Sequence, residues 1–223
     1  AGWGGVNNRK NTDLLIKAFD MAGDIEAELH LYTQSPVSTY GNETTHICKN
    51  NKRISVYEGT IDDINKAYIG KDMLLWPSKR EGVGLPILEA LVHGLPVLIS
   101  DGYMMKQRIM PNIHGVVCPA EPIQGQMHLP EMQVDVHQLA TLIRRLAEDK
   151  SAVVTLQANV EKDKSVWLWT WQKSLMKSLV TQFCRNPQDR KFQSIDYLPE
   201  AVIKFESERR KLFKEDPLTR SFK

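Results

Sequence analysis

The sequence predicts an α/β fold, a Rossmann-like, doubly wound parallel sheet with extra helices at its C-terminal end. Three observations lead there. Short apolar runs, each bounded by turn formers or charges, recur through the first 120 residues, as expected of strands buried on both faces. Segments with helical spacing lie between them, the alternation that builds βαβ units. A length of 223 residues with 42% hydrophobic content supports one sizeable core plus an accessory piece.

The candidate strands are 28–32, 54–57, 73–76, 97–99 and 115–118, with helices expected at 13–21, 62–69, 85–93 and 103–109. In the first helix Leu14, Leu15, Ala18 and Phe19 form one apolar stripe, and Asn11 or Thr12 offers an N-cap. Right-handed crossovers bring the strand C-termini and the loops after them to one edge, where ligands bind in such sheets. After Pro119 the pattern changes. Residues 120–132 read as a loop rich in Pro, Gly, Gln and Met, followed by helices near 134–148, 152–162 and 166–184. Trp167 and Trp171 share a face of the last of these and read as packing anchors. Asn186-Pro187 breaks it, and Leu198, Val202, Phe205 and Leu212 suggest one more helix. The organisation expected is a main domain over 1–185 and a helical tail over 186–223.

Charge narrows the function classes. Lys plus Arg is 29 against 27 for Asp plus Glu, a net +2. A general nucleic-acid or membrane-surface binder needs a basic excess, so neither partner is expected, though a local basic site for a small anion is compatible. Cys48, Cys118 and Cys184 are odd in number, far apart and without zinc-ligand spacing, which suits reduced structural thiols in a cytoplasmic setting. No apolar run is long enough to span a bilayer and no leader pattern opens the chain. Starting on Ala1 with glycines close behind, it reads as a fragment or a processed product.

The chemistry concentrates between Trp76 and Ser100. Pro77 and Ser78 stop a buried strand, and Gly82 and Gly84 let backbone approach a ligand with no Cβ in the way. Leu85 and Pro86 then open a helix, since proline suits a first turn. The free N–H groups around Val83–Leu85 suit an anionic or hydroxyl-rich ligand. Glu81 precedes this helix and Glu89 lies one turn inside it. Eight residues at about 100° each leave the two roughly 80° apart, so both carboxylates can border one pocket and accept hydrogen bonds from vicinal hydroxyls. The plainer reading makes both glutamates favourable helix N-terminal charges.

From Ser78 through Val97 this segment resembles the Glu-x7-Glu signature of the family-four glycosyltransferases of GT-B fold. The resemblance implies the C-terminal, donor-binding half of such an enzyme, with Glu89 on the ribose of a nucleotide sugar. Glu81 would contact the sugar, and the amides of Gly82, Val83, Gly84 and Leu85 would hold sugar and phosphate. Near the start, Arg9-Lys10-Asn11 followed by Leu14, Leu15, Ala18 and Phe19 resembles the family's basic element, in which the cations reach the diphosphate. Taken alone, Arg9-Lys10 is equally a solvated basic turn. The arginine that many members carry five positions before the lysine falls here on Gly5, which puts Arg9's role in more doubt than Lys10's. Glu58, Gly59 and Thr60 correspond to a strand end that packs on the nucleobase, or are an ordinary strand–turn–helix connection.

One region departs from the pattern. Where many members have Gly-Gly and a glutamate, this chain has Asp101-Gly102-Tyr103-Met104-Met105-Lys106-Gln107, so no sugar contacts carry over. His93 reads as a helix C-terminal residue. The resemblance implies a retaining transfer to a glycan or other hydroxyl acceptor with no metal and no cofactor, and the lack of an Asp-x-Asp pair agrees. It also implies that the acceptor half lies in an N-terminal domain missing from this chain. The alternative from another class is a non-catalytic module that binds nucleotide or regulates a partner.

Overall fold

The computed structural model describes residues 2–3, 8–125 and 130–168, with isolated positions beyond (170, 173–174, 176–178, 204 and 207–208). The chain divides into two compact units, Ala1–Glu161 and Lys162–Lys223, and the elements below belong to the first except where α6 runs to its end.

The sheet is parallel and doubly wound. Strands β1 (Gly2–Trp3), β2 (Leu29–Thr33) and β3 (Ile54–Glu58) pair side by side, as do β4 (Leu74–Trp76), β5 (Val97–Ser100) and β6 (Gly115–Cys118). Strand β1 lies next to β4, giving the spatial order β3-β2-β1-β4-β5-β6. The connection from β3 therefore returns past β1 and β2 to start a second run in the opposite direction. The carboxyl ends of β1 and β4 flank this reversal, the position at which sheets of this class open a crevice.

Helix α1 (Thr12–Met21) packs its stripe of Leu15, Ile16, Ala18 and Phe19 against Leu29 and Leu31 of β2 and against Leu139 and Ile143 of α5 (Val136–Glu148). All are buried, and a fully buried side chain of this size contributes roughly 1.5–3 kcal/mol of transfer free energy. Between β2 and β3 lies α2 (Asn42–Asn50), whose Thr44 and Thr45 hydroxyls donate back to the carbonyls of Tyr40 and Gly41. Helix α3 (Leu85–Val92) follows β4 and ends at His93, the C-cap position, with Gly94 in the left-handed region at φ 78°. Helix α6 (Lys150–Asp163) follows α5 directly.

Four expectations are corrected. Residues 62–69 hold only a short 3-10 turn, Ile64–Ala67, started by Asp63, whose carboxylate accepts from the Asn65 N–H; so compact a crossover has no room for further turns. Helix α4 is four residues, Tyr103–Lys106, because the chain must turn at Met110 to enter β6. The stretch 120–132 is no loop. It forms an antiparallel hairpin of β7 (Ala120–Gln124) and β8 (Pro130–Val134), and its exposed outer strand tolerates Pro122 as an edge does. Asn11 occupies the N-cap position of α1 at φ 53°, but its side chain makes no cap bond, being used across the site instead. Where a helix is expected at 166–184, the chain opens with a 3-10 turn at Lys164–Val166 and is helical at the described positions 170, 173–174 and 176–178. Where one is expected at 198–212, positions 204 and 207–208 are helical; the other residues beyond 168, Trp171 and Cys184 among them, lie outside the described residues.

Gly115 shows how closely β6 runs against β5. A Cβ there would lie 2.1 Å from the Val97 carbonyl oxygen, which the pairing holds in place. Gly115→Ala is expected to cost roughly 1–3 kcal/mol of stability, read as a lower midpoint in urea denaturation; an unchanged midpoint would show that the two strands can part there.

Candidate functional site

The loops leaving β1 and β4 are joined by a row of hydrogen bonds. Asn11 Nδ2 donates to the Pro77 carbonyl at 2.8 Å, the Lys79 N–H donates to Arg9 O at 2.9 Å, and an Arg9 guanidinium nitrogen donates to Arg80 O at 2.8 Å. Asn11 is buried, so its bond forms away from water, where leaving it unmade would cost about 1–3 kcal/mol. Ser100 on β5 donates to the Ser78 carbonyl, tying the loop to the next strand. From the far side, the Met132 N–H of β8 donates to Lys79 O at 2.9 Å, and Glu131 pairs with Arg80 at 4.0 Å.

This scaffold brings Arg9, Lys10 and Glu81 together. Lys10 and Glu81 form a direct ion pair with side chains only 10% and 7% exposed, and Arg9 stands 3.6 Å from the same carboxylate oxygen. Two further groups converge on that oxygen, Oε1. The Trp76 indole N–H donates to it at 3.1 Å and the Ser78 hydroxyl at 2.7 Å. Ser78 has carbonyls of Arg9 and Arg80 in reach at 3.3 and 3.1 Å, but its one proton is best placed on the closer, charged acceptor. Among the described residues nothing donates to Oε2. The Lys10 ammonium sits 4.3 Å above the Trp76 ring centroid, a cation–π arrangement. Burial pushes the Lys10 pKa below its ordinary value, opposed by the bond and charge of Glu81 and assisted by the neighbouring Arg9. Two cations against one carboxylate leave a local surplus of positive charge at the crevice.

Glu89 has a separate set of partners. Its Oε2 accepts from the Tyr68 hydroxyl at 2.7 Å, and Tyr68 stacks on His93 with centroids 5.0 Å apart. His93 in turn bridges the Glu89 carbonyl, 2.7 Å from Nδ1, and Asn65 Oδ1, 2.8 Å from Nε2. The structure thus joins Glu81 to the basic element and Glu89 to the 64–68 turn.

The glycine loop lies open. Gly84 takes φ 70°, left-handed, and Gly82 is exposed, while Val83 and Leu85 are 54% and 58% exposed despite being apolar. Arg108 donates to the Val83 carbonyl at 3.0 Å, holding the loop from α4's side. Of the strand-end trio, Glu58 accepts from the Val37 N–H at 2.7 Å, Gly59 turns the chain at φ 103° and bonds Thr33 O, and Thr60 is exposed. In the departing region, Met105 is buried against Ser100, and Asp101 pairs with Lys106 at 2.6 Å. Sequence reasoning missed Trp76, Ser78, Asn11 and Tyr68 as parts of the site. A tryptophan at the carboxyl end of a buried strand was a usable signal, since a buried indole N–H requires an acceptor.

The family model described as "Glycosyl transferases group 1" matches residues 3–127. The chain belongs to this family. Among curated proteins it is similar to the sulfoquinovosyl transferase SQD2 of Arabidopsis thaliana, 26% identical over 138 residues, 53% of this chain and 25% of that protein. Among solved structures it resembles HepE of Anabaena in complex with UDP at a TM-score of 0.63, 16% identical, covering 81% of this chain and 48% of that one. It also resembles sucrose-phosphate synthase of Thermosynechococcus elongatus, at a TM-score of 0.62 and 24% identity, over 82% of this chain and 45% of that one. A C-terminal domain of a group 1 family protein, LpcC of Francisella tularensis, aligns at a TM-score of 0.55 and 20% identity, over 71% and 80%. At these identities the likeness is one of fold, and it bears out the GT-B type expected from the Glu-x7-Glu segment. The chain spans about half the length of HepE and a quarter of the curated relative.

The charge cluster makes an asymmetric prediction. In Lys10→Ala, Glu81 keeps Trp76, Ser78 and Arg9; in Glu81→Ala, a buried ammonium loses its only close carboxylate among the described residues. Glu81→Ala is expected to destabilise by about 3–5 kcal/mol and Lys10→Ala by less, with strong coupling in the double variant. Equal losses, or additive ones, in urea denaturation would refute the arrangement.

Proposed function

We propose that this chain is the donor-binding half of a retaining glycosyltransferase, which moves a sugar from a nucleoside-diphosphate sugar to a glycan or other hydroxyl acceptor. The observation that carries the reading is the cluster of Lys10, Arg9 and Glu81 at the crevice between β1 and β4. Its surplus of positive charge suits a diphosphate. Its carboxylate, with Oε1 taken and Oε2 without a donor among the described residues, suits a sugar hydroxyl. HepE's complexes, named for UDP and for UDP with glucose or as UDP-glucose, support the ligand class.

In this reading each group has one task. Lys10 and Arg9 hold the diphosphate and stabilise the negative charge that grows on it as the glycosidic bond to the leaving group breaks. Glu81 accepts from the sugar and offsets positive charge developing at the anomeric carbon. Glu89 accepts from the ribose, steadied by Tyr68. The amides from Gly82 to Leu85 line the phosphate and sugar, and Glu58, Gly59 and Thr60 border the base. No metal or cofactor is invoked, because the two basic side chains supply the counter-charge. The acceptor, and any base that deprotonates it, come from an N-terminal half outside these residues, so the chain alone binds the sugar nucleotide and transfers weakly or not at all. A reducing, cytoplasmic setting accords with Cys48 and Cys118 standing as free thiols.

Calorimetric titration with UDP, GDP and their sugars should give saturable binding for at least one nucleotide, and a flat panel would sink the proposal. In the same assay Glu89→Ala should weaken binding by roughly 1–3 kcal/mol, the loss of a charged hydrogen-bond partner; unchanged affinity in the folded variant would return Glu89 to a structural role.

A further inference from the structure

Trp76 touches both members of the ion pair. It is 2% exposed, its ring lies beneath the Lys10 ammonium, and its indole N–H donates to Glu81 Oε1. An indole offers one donor and no acceptor, so it holds one carboxylate oxygen and leaves the other to a different partner. With Lys10 and Ser78 on the same oxygen, Oε1 receives three donors and the carboxylate cannot rotate without breaking all of them. Its other oxygen, Oε2, receives no donor among the described residues. Ser78 follows two residues on along the same chain, but it is the rigid, strand-borne indole that cannot swing to another acceptor, as the Ser78 hydroxyl can toward Arg9 O or Arg80 O.

We propose that Trp76 is a positioning residue: it aligns Glu81 so that Oε2 is presented to the sugar, while its ring seats Lys10 for the diphosphate. This rests on the donor-site reading above. Because the indole bond acts through Glu81, its loss bears on the sugar end of a ligand more than on the nucleotide end. A residue that merely filled the core would affect both ends alike.

Trp76→Phe separates the two, since phenylalanine keeps an aromatic face near Lys10 and removes the N–H together with part of the ring, and the cavity this leaves bears on both ends of a ligand alike. The ligand-free chain supplies the first readout. The Trp76 indole N–H resonance, assigned by its disappearance in Trp76→Phe, is expected to shift in Glu81→Gln and to stay in place in Glu89→Gln. An unmoved resonance in Glu81→Gln overturns the proposal. The second readout compares UDP with UDP-glucose by calorimetry, or the nucleotide and its sugar that bind best in the panel. Trp76→Phe is expected to weaken the sugar nucleotide about tenfold more than the plain nucleotide. Equal weakening of both, or no weakening, overturns it. If the unaltered chain binds no nucleotide at all, the donor-site reading falls and takes the sugar-presenting role with it, while the resonance still reports whether Trp76 holds Glu81.

Discussion

The site depends on one constraint, the adjacency of β1 and β4 in the sheet. These strands are far apart along the chain, and only the reversal of strand order makes them neighbours. Their loops then meet backbone to backbone, with Arg9 O and Lys79 N, Asn11 and Pro77, and Arg9 and Arg80 bonded across the gap. A buried ammonium is costly unless paired, and the pairing partner, Glu81, is delivered by the opposite loop. The ion pair is thus a consequence of topology, and in turn penalises any slip of one loop against the other. The core of α1, α5 and β2 matters to function mainly because it holds β1 and the start of α1 in that register.

The two ends of the crevice differ in character. Around Lys10 the polar side chains are largely buried and bonded to one another, with Asn11 Oδ1 and Glu81 Oε2 left without a donor among the described residues, so much of the geometry is set before any ligand arrives. Around Val83 and Leu85 the apolar side chains face outward, and the loop is held by Arg108 through a carbonyl and by its glycine turn. One wall of the site is thus charged and cross-linked, and the other is open and apolar.

Much of this was legible beforehand, and for physical reasons. The stripe of Leu15, Ala18 and Phe19 and the Gly82–Pro86 helix start declare themselves by local spacing, and both appear where expected. Strands buried on two faces stand out as short apolar runs, although β1, with two residues in the described sheet, is too short to do so. Helix α2 has a polar sequence with two threonines, weak helix formers, and its helical state depends on packing against α1. The β7–β8 hairpin hides because one strand is exposed almost throughout and carries a proline. Arg9, Lys10 and Glu81 were each nameable from motif; their convergence on a single carboxylate oxygen, with Trp76 and Ser78 as additional donors, is a tertiary fact that no local pattern encodes.

Glu81 and Glu89, eight positions apart, hang from different supports. One is bound into the loops of β1 and β4, the other into Tyr68, His93 and Asn65 on the crossover from β3. The bonds described at Glu89 run through the 64–68 turn, and those described at Lys10 run through the loops of β1 and β4. On the donor-site reading proposed above, such a division lets a lineage exchange the chemical group read at one carboxylate while inheriting the other, so diversification within this architecture can proceed in small, separately selectable steps.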